Sequence, residues 1–301
     1  MSSANRWLMI DGNSLVTYLW FRNPNQNVAS NVWLYIADFM QSYNLSNVAI
    51  AWDWVYSKGK QTGMSCRRRQ EFGEYKGSRV PHPQWSLEKP KVMKEVKSSL
   101  KQIPVRQGTI EGLEADDIVW CWSQMVDGLI ISGDEDLWQC CNENVRVYSP
   151  RKKVEVGLEI IDEKFGSVHA MMIQKSLVGD TSDCINGVSG IGWSRAKKLW
   201  QDYSHILSSL AIGNETECGS KDDKWLNEVI RQVEVFKRNW KIMKLGEMIN
   251  ENDMMKAETF LLQPVKFEVN DARHYVAFKG WHEIIRKWNP ISQVFQKAIP
   301  S

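Results

Sequence analysis

The amino-acid sequence predicts an α/β protein, with a mainly parallel sheet and flanking helices over residues 1–165 and a helical region over residues 166–301. Two observations carry this prediction. In the first half, short apolar segments that suit buried strands alternate with helical patterns, as in βαβ units. Beyond residue 165, the apolar residues recur at helical spacing.

The predicted strands are short apolar runs at 6–10, 47–52, 103–107, 128–132 and 145–149. Helical periodicity predicts helices at 31–43, 88–102, 115–126, 167–179, 194–210 and 225–245, and a small packed unit at 274–288. Residues 57–86 interrupt the alternation because they are polar and basic and lack apolar periodicity. Segments this long inside a compact domain are usually functional or disordered. We assign them, with the basic helix that follows, to an insertion at about 57–102.

Charge is distributed unevenly along the chain. The formal net charge is +2, but residues 58–106 hold 13 Lys or Arg against four Asp or Glu. The rest of the chain is therefore net acidic. A basic segment beside an acidic remainder indicates a polyanionic partner such as nucleic acid.

Cysteine spacing and apolar content exclude several classes of protein. The six cysteines include no C-x-x-C pair and no zinc-finger spacing. The N-terminus does not resemble a signal peptide, and no apolar run approaches the length of a membrane span. We therefore expect a reduced, cytoplasmic protein without a membrane segment.

Acidic side chains follow four of the predicted strands. In an open α/β sheet, ligands bind outside the carboxyl ends of the strands, so we expect these carboxylates to meet at one edge. They are Asp11 after the first strand, Asp53 after the second, Glu114, Asp116 and Asp117 after the third, and Asp134 and Asp136 after the fourth.

Each of these carboxylates alone has a simpler explanation as a helix N-cap, a turn residue or an acidic first turn. Seven at one edge are different, because like charges raise each other's pKa unless a cation neutralises them. Oxygen-only ligands suit Mg²⁺ or Mn²⁺, whereas the five histidines are too scattered for a zinc site. Two such ions about 4 Å apart fit phosphodiester hydrolysis.

The motifs resemble those of the 5′-nuclease family, which includes phage flap endonucleases and RNase H enzymes, the 5′-nuclease domain of bacterial DNA polymerase I, and cellular flap endonucleases. In the family's order, the chain carries IDGNSL, WD, RRRQEFGEYKGSR, EGLEADD, ISGDED, LVGDTSDCINGVSGIG and RAKKL. These motifs cover roughly residues 6–200, about two-thirds of the chain. The resemblance implies a PIN-like sheet, a helical-arch insertion and a helix–hairpin–helix variant at about 168–210.

The resemblance also implies roles for the acidic residues. The ligands of a first metal ion would be Asp11, Asp53, Glu114, Asp116 and Asp117. Those of a second ion, some acting through water, would be Asp134, Asp136, Asp180 and Asp183. The implied metal is Mg²⁺, for which Mn²⁺ can substitute.

Basic residues of the insertion match further family positions. Lys76 and Arg79 correspond to residues that contact the scissile phosphate, and Arg68 matches a family arginine seven residues before Tyr75. A solvated basic face is the alternative for this run of charges. Tyr75 would either stack on a base or pack against the protein.

The glycine-rich run resembles the family's DNA-binding hairpin. Its implied contacts are backbone N–H groups at Gly190 and Gly192, joined by the side chains of Ser194, Arg195, Lys197 and Lys198. A K⁺ ion at this hairpin is compatible with the resemblance. Alternatively, these glycines form a helix–helix turn that binds no ligand.

The hairpin departs from the family's usual sequence. Where SDNIPGVPGIG is common, this chain has SDCINGVSGIG, so Cys184 replaces an asparagine, and Asn186 and Ser189 replace prolines.

Together, these features predict a two-metal-ion 5′→3′ nuclease that acts on 5′ flaps and on nicked or gapped duplexes during replication and leaves a 5′-phosphate. RNA–DNA hybrids and replication proteins are compatible further partners. We expect a monomer in the cytoplasm, or in the host cytoplasm if a phage encodes the chain. One alternative is a non-catalytic, structure-specific DNA-binding protein, which would gain from losing the acidic charges. The other is a PIN-type ribonuclease, against which the hairpin and insertion argue.

Overall fold

The computed structural model describes residues 6–22, 26–54, 66–77, 80, 82–214 and 223–299. At its centre is a six-stranded sheet with strand order β3-β2-β1-β4-β5-β6, parallel except for β6, which pairs antiparallel with β5. The strands are β1 Trp7–Asp11, β2 Asn47–Ala51, β3 Arg106–Gly108, β4 Gly128–Ile131, β5 Val145–Ser149 and β6 Val154–Val156. The predicted α/β class is confirmed.

Helices cover both faces of the sheet. The described ranges contain α1 Gly12–Arg22, α2 Val28–Ser42, α3 Arg67–Glu71, α4 Pro83–Ser99, α5 Ala115–Ser123, α6 Leu158–Phe165, α7 Val168–Val178, α8 Trp193–Ala211, α9 Lys224–Arg231, α10 Val233–Met243, α11 Glu251–Leu262, α12 Val269–Phe278, α13 His282–Arg286 and α14 Trp288–Lys297. A two-stranded ribbon, β7 Gly179–Asp180 with β8 Ile185–Asn186, links α7 to α8.

Alternating side chains of the strands feed two hydrophobic cores. Leu8 and Ile10 pack with α1, α2 and the C-terminal helices, whereas Trp7 and Met9 pack with α5, α7 and α10. Both cores draw on residues before and after position 165. The predicted domain boundary therefore marks a change in secondary structure, while the two parts share their cores.

Local capping fixes the starts of α2 and α7. The Asn27 side chain accepts the Ser30 amide at 2.9 Å at the start of α2, and Ser167 accepts the Ala170 amide at 2.9 Å at the start of α7. Helix α7 ends at Gly179, whose φ of 78° lies in the left-handed region that glycine adopts readily.

The predicted single helix at 225–245 is wrong, because the structure breaks it into α9 and α10 at Gln232. The break lets α10 pack against α7, where the fully buried Asn239 donates to the Ser176 and Asn186 carbonyls at 3.0 and 2.8 Å. These long-range bonds are invisible to local periodicity. Helices α1 and α11 and strand β6 were also missed.

The described part of the insertion predicted at 57–102 packs against the core. Residues 57–65 and Arg79 lie outside the described residues. Helix α4 packs against α2, and its Trp85 and Val96 are buried in the core. Among the helices described, none is both long and apolar enough to cross a bilayer.

Candidate metal centre and nucleic-acid interface

The predicted acidic edge lies where the strand order reverses. Strands β2 and β3 lie on one side of β1 and β4 on the other, and α/β proteins bind ligands at such switch points. Asp11 ends β1, Asp53 follows β2 and Asp134 follows β4. These three residues line a cavity of about 1330 Å³ with Glu114, Asp116 and Asp180.

Asp11 is the most constrained of these carboxylates. It is buried, and its two oxygens accept the Ser14 amide at 2.9 Å and the Ser132 hydroxyl at 3.2 Å. Burial, reinforced by the charges of Asp53 and Asp134, raises the pKa of Asp11 to about 7. An ionised Asp11 at neutral pH therefore calls for a compensating cation.

Asp53 joins two parts of the site. One of its oxygens accepts the Ala115 amide at 2.9 Å, and the other accepts a hydrogen bond from the Asn13 side-chain nitrogen. The Oδ1 atom of Asn13 is buried and has no hydrogen-bond partner among the described residues. This orphaned oxygen beside a carboxylate is a suitable acceptor for a hydrated cation.

The start of α5 holds the first acidic cluster: Glu114, Asp116 and Asp117. One carboxylate oxygen from each lies within 4.8 Å of the others, the only trio so placed among the residues described. A capping box creates this proximity, since the Asp117 side chain accepts the Glu114 amide at 3.2 Å.

Two cations from the insertion neutralise this first acidic cluster. The buried Arg68 donates to Glu114 at 2.9 Å, to Asp116 at 3.2 Å and to Asp117. Lys76 donates to Glu114 at 2.7 Å. Burial opposes ionisation of Glu114, but Lys76 and Arg68 prevail and hold its pKa at about 2. Burial dominates at Asp116 and Asp117, and their pKa values are raised.

Asp134, Asp136 and Asp180 form the second acidic cluster. Asp134 accepts the Asp136 amide at 2.9 Å, and Asp180 accepts the Ser182 hydroxyl at 2.7 Å. Desolvation in the cleft and the charge of Asp136 raise the pKa of Asp134 to about 6. Each of the three lines the cavity or bonds to a residue that does.

Lys175 is a residue of the site that the sequence reasoning missed. Its ammonium group bonds to Asp136, and its pKa is raised because Asp136, Asp134 and Asp180 outweigh burial. It also lines the cavity. It lies on α7, five residues before Asp180 of the following strand β7, and this nearness in sequence is the only local signal of its role.

Lys76 links the first acidic cluster to Asp183. Its side chain contacts Glu114, and its Nζ lies 4.0 Å from the buried Asp183. Its amide donates to the Asp183 carbonyl at 2.9 Å, which fixes the backbone at a φ of 55°. Asp183 thus contacts the site through Lys76.

Tyr75 takes the packing alternative in this conformation. Its side chain is buried, and its hydroxyl donates to Glu114 at 3.1 Å. A ring buried in this way has no free face for a base, so the structure favours packing, one of the two alternatives that the sequence left open. Arg68 is equally enclosed, and its guanidinium contacts the carboxylates of the first acidic cluster.

The glycine-rich hairpin between α7 and α8 presents a polar face. A Cβ placed at Gly187 would lie 2.1 Å from the Val178 carbonyl oxygen, so only glycine permits this close approach. Gly190 has a φ of 76°, and Gly192 begins α8 without a capping side chain. The next turns of α8 expose the side chains of Ser194, Arg195, Lys197 and Lys198.

The departures from the family's hairpin sequence have structural counterparts. Ser189 stands where proline is common, and its amide donates to the Gln232 side chain at 3.2 Å. Cys184 adopts a φ of 63°. Arg195 stacks on Trp225, 3.9 Å from the ring centroid, and donates to the Gly190 carbonyl at 2.5 Å. The hairpin is thus braced by α9 and the α9–α10 break.

The donor set fits hard divalent cations. It consists of carboxylates at one cleft, two with pKa values raised to about 7 and 6, beside an orphaned amide oxygen. Such oxygen ligands suit Mg²⁺ and similar ions. Burial raises the pKa of each of the thiols Cys66, Cys121, Cys140 and Cys141, which therefore stay protonated and are poor ligands.

This parallel sheet with an acidic switch point defines a PIN-like α/β protein. The family model described as 5′-3′ exonuclease, N-terminal resolvase-like domain, matches residues 6–166. The chain belongs to this 5′-3′ exonuclease family, which confirms the resemblance seen in the sequence motifs.

Two relatives and one solved structure illustrate the similarity. DNA polymerase I of Caldicellulosiruptor bescii is 31% identical over 66% of this chain but 24% of that polymerase. The flap endonuclease Xni of Shewanella woodyi is 27% identical over 74% of this chain and 87% of its own length. The bacteriophage T5 flap endonuclease, solved with DNA and metal ions, has a TM-score of 0.67 at 21% identity, covering 86% of this chain and 100% of that one. The chain spans about a quarter of the length of the DNA polymerases I it matches.

Proposed function

We propose that this protein is a divalent-metal-dependent 5′→3′ nuclease of the flap endonuclease and 5′-exonuclease type. The observation that carries the proposal is the convergence of carboxylates from four strand ends on one cleft, with Lys76 between the first acidic cluster and Asp183. Membership of the 5′-3′ exonuclease family supports it. A non-catalytic DNA-binding protein would gain nothing from this concentration of negative charge.

The proposed cofactor is a pair of Mg²⁺ ions, for which Mn²⁺ can substitute. Asp11, Asp53 and the first acidic cluster would hold one ion, and the second acidic cluster with Asp183 the other. When bound, such ions supply an activated water and stabilise charge on the transferring phosphate. Burial and the neighbouring carboxylates, which raise the pKa values of Asp11 and Asp134, are what such cations would compensate.

The chain's own cations would then position the phosphate. Lys76 lines the cavity with its ammonium group at the mouth of the first acidic cluster, where it can exchange a carboxylate for a phosphate oxygen. Lys175 also lines the cavity, where it pairs with Asp136. Arg79 belongs to the same proposed set, although it lies outside the described residues.

The hairpin would grip the duplex beside the cut. Helix α8 offers uncapped amide groups at Gly192 and an exposed polar face, a sequence-independent arrangement for backbone phosphates. A K⁺ ion at the Gly190 turn would add a further phosphate contact. Asp180 and Asp183 precede this turn in the same short segment. The duplex-binding hairpin would therefore lie at a fixed distance from the acidic cleft.

The proposed substrates are 5′ flaps and nicked or gapped duplexes, with RNA–DNA hybrids as a further class. The relatives named DNA polymerase I and flap endonuclease point to a role in replication. We propose a monomer acting in the cytoplasm, or in the host cytoplasm if a phage encodes it.

Incubation with a labelled 5′-flap duplex tests the proposal. Cleavage near the flap junction should occur with Mg²⁺ and stop with EDTA.

In binding titrations of the same substrate, replacing Lys197 and Lys198 with alanine should weaken binding and reduce the salt slope by about one per lost phosphate contact. Lys256 and Lys279, which lie on other surfaces, provide the matched double-alanine control. DNA binding that needs no metal and leads to no cleavage would favour the non-catalytic DNA-binding protein. Cleavage of single-stranded RNA alone would favour the PIN-type ribonuclease.

A further inference from the structure

Two adjacent arginines at the start of α3 point to different partners. Arg68 reaches the first acidic cluster, as described above. Arg67 reaches α11, where its guanidinium pairs through both nitrogens with the Asp253 carboxylate, at 2.9 Å for the Nη2–Oδ1 contact. It also donates to the Met248 carbonyl at 2.9 Å. The contact joins residues 186 positions apart.

Asp253 is itself held firmly. Its side chain is fully buried, and its carboxylate accepts the Asn250 amide at 3.1 Å. The Asp253 amide in turn donates to the Asn250 side chain at 3.0 Å, which completes a capping box at the start of α11. The anchor for Arg67 is therefore fixed by the backbone of α11.

Helix α11 is docked on the helix that carries the first acidic cluster. It packs along α5, and the Trp122 indole of α5 donates to the Ala257 carbonyl of α11 at 2.9 Å. Segment α3 is thus tied to α5 twice: directly through Arg68, and through Arg67 and α11. Two neighbouring residues in a short helix cannot move independently, so the Arg67 contact restrains the direction of Arg68.

The same restraint extends to Lys76. Residues 66–77 form a compact turn in which the Phe72 amide donates to the Arg68 carbonyl at 2.8 Å and the Tyr75 amide to the Phe72 carbonyl at 2.9 Å. The Arg67 amide donates to the Gly112 carbonyl at 2.8 Å, just before the first acidic cluster. The turn is therefore fixed at the end that carries Arg67, and Lys76 lies at its other end.

We propose that Arg67 and Asp253 are a positioning pair, through which the C-terminal helix α11 sets the placement of Arg68 and Lys76 without touching the substrate. This inference rests on the proposed nuclease function for its kinetic consequence. It gives the C-terminal part of the chain, which carries no recognisable motif, a role in the reaction.

The kinetic test uses Asp253→Asn, which keeps a capping oxygen but loses the charge that holds Arg67. We expect kcat on the 5′-flap duplex to fall about tenfold with KM unchanged, in the range found for partners that orient a metal site's ligands. In a Lys76→Met background, Asp253→Asn should lower kcat by clearly less than tenfold, because the part of its effect that passes through Lys76 is already lost. Equal effects in both backgrounds would overturn the proposal, since a general loss of stability acts regardless of Lys76.

A matched control and a second readout separate this proposal from the nuclease function. Lys241 pairs with Glu71 of the same α3, but both side chains are largely exposed, so Lys241→Gln should leave kcat unchanged. Hydrogen exchange of the amides at 67–77 should become at least tenfold faster in Asp253→Asn, whether or not the protein cleaves DNA. Unchanged exchange would refute the pair. If Asp253→Asn does not fold, Arg67→Lys loses the two-pronged contact but keeps the charge, and the same two measurements apply.

Discussion

The first and second acidic clusters differ in how their charge is compensated. The first, Glu114 with Asp116 and Asp117, is nearly closed to solvent and shares the buried guanidinium of Arg68, whose side chain is 4% exposed. In the second, Asp134 is exposed, and the Lys175–Asp136 pair is slightly more open than the first cluster, with side chains 12% and 16% exposed.

The difference indicates separate contributions to the site. A capping box and two cations hold the carboxylates of the first acidic cluster in place. Its geometry is therefore set by contacts within the folded chain. The second gathers Asp134 and Asp180 from distant segments around one lysine, so its geometry depends on how α7 sits on the sheet. We expect the first acidic cluster to govern stability more strongly than the second, and both to be required for cleavage.

The largest effect should come from removing one negative charge at the metal centre. Asp134→Asn in the second acidic cluster and Asp11→Asn beside it should each lower the cleavage rate at least about a hundredfold. Each substitution weakens the binding of a cation that stabilises the transition state by several kcal/mol. Binding of the flap duplex should be unchanged or tighter, because a charge that repels phosphate is gone. Single-turnover cleavage and binding titrations measure the two quantities.

Asp162→Asn on the exposed surface of α6 is the matched control and should retain full activity. Loss of binding in Asp134→Asn or Asp11→Asn, in step with loss of cleavage, would contradict the division between metal centre and hairpin.

The acidic residues could be predicted from the sequence because strand ends are local features. Asp11, Asp53, Glu114 and Asp134 follow recognisable strands, and parallel strands bring their carboxyl ends to one edge. Lys175 was missed because its charge faces inward only once α7 is packed on the sheet. The break at Gln232 and the Arg67–Asp253 contact were missed for the same reason, since both depend on contacts more than 40 residues apart.

Tyr75 shows that a sequence motif does not specify the direction in which each of its side chains points. The motif places this tyrosine beside Lys76, but only the packed structure shows its ring enclosed and its hydroxyl on Glu114. Side-chain direction within a compact turn depends on the surrounding packing, which a family pattern does not state.

A second prediction compares the compensating cations by stability. In EDTA, Arg68→Gln should lower the free energy of unfolding by about 3–5 kcal/mol, because it leaves buried carboxylates without their partner. Lys175→Gln should lower the free energy of unfolding by less, because the Lys175–Asp136 pair is more open to water. Urea unfolding measures both, with the exposed Arg69→Gln on the same helix as the control. Equal losses for Arg68→Gln and Lys175→Gln would show that burial does not distinguish the two acidic clusters.

The last prediction concerns pH. The folded protein holds the pKa of Asp11 at about 7 by burial and by Asp53 and Asp134, against an ordinary value of 3.8. Between about pH 4 and 7 the folded state therefore binds more protons at Asp11 than the unfolded state. In EDTA, this group lowers the free energy of unfolding as pH rises, by up to about 1.4 kcal/mol per pH unit.

Divalent cations should reverse this trend, because they bind the ionised carboxylate and their contribution grows over the same interval. His169, whose pKa is lowered by burial, works in the opposite direction near its ordinary value of 6.5, so wild type must be compared with Asp11→Asn rather than read alone. We expect the stability gained on adding Mg²⁺ to rise from pH 5 to pH 7 in wild type and to rise less steeply in Asp11→Asn, measured by urea unfolding at each pH. The same slope in both proteins would mean that the pH dependence arises at the first acidic cluster, where Asp116 and Asp117 also have raised pKa values, and not at the end of β1.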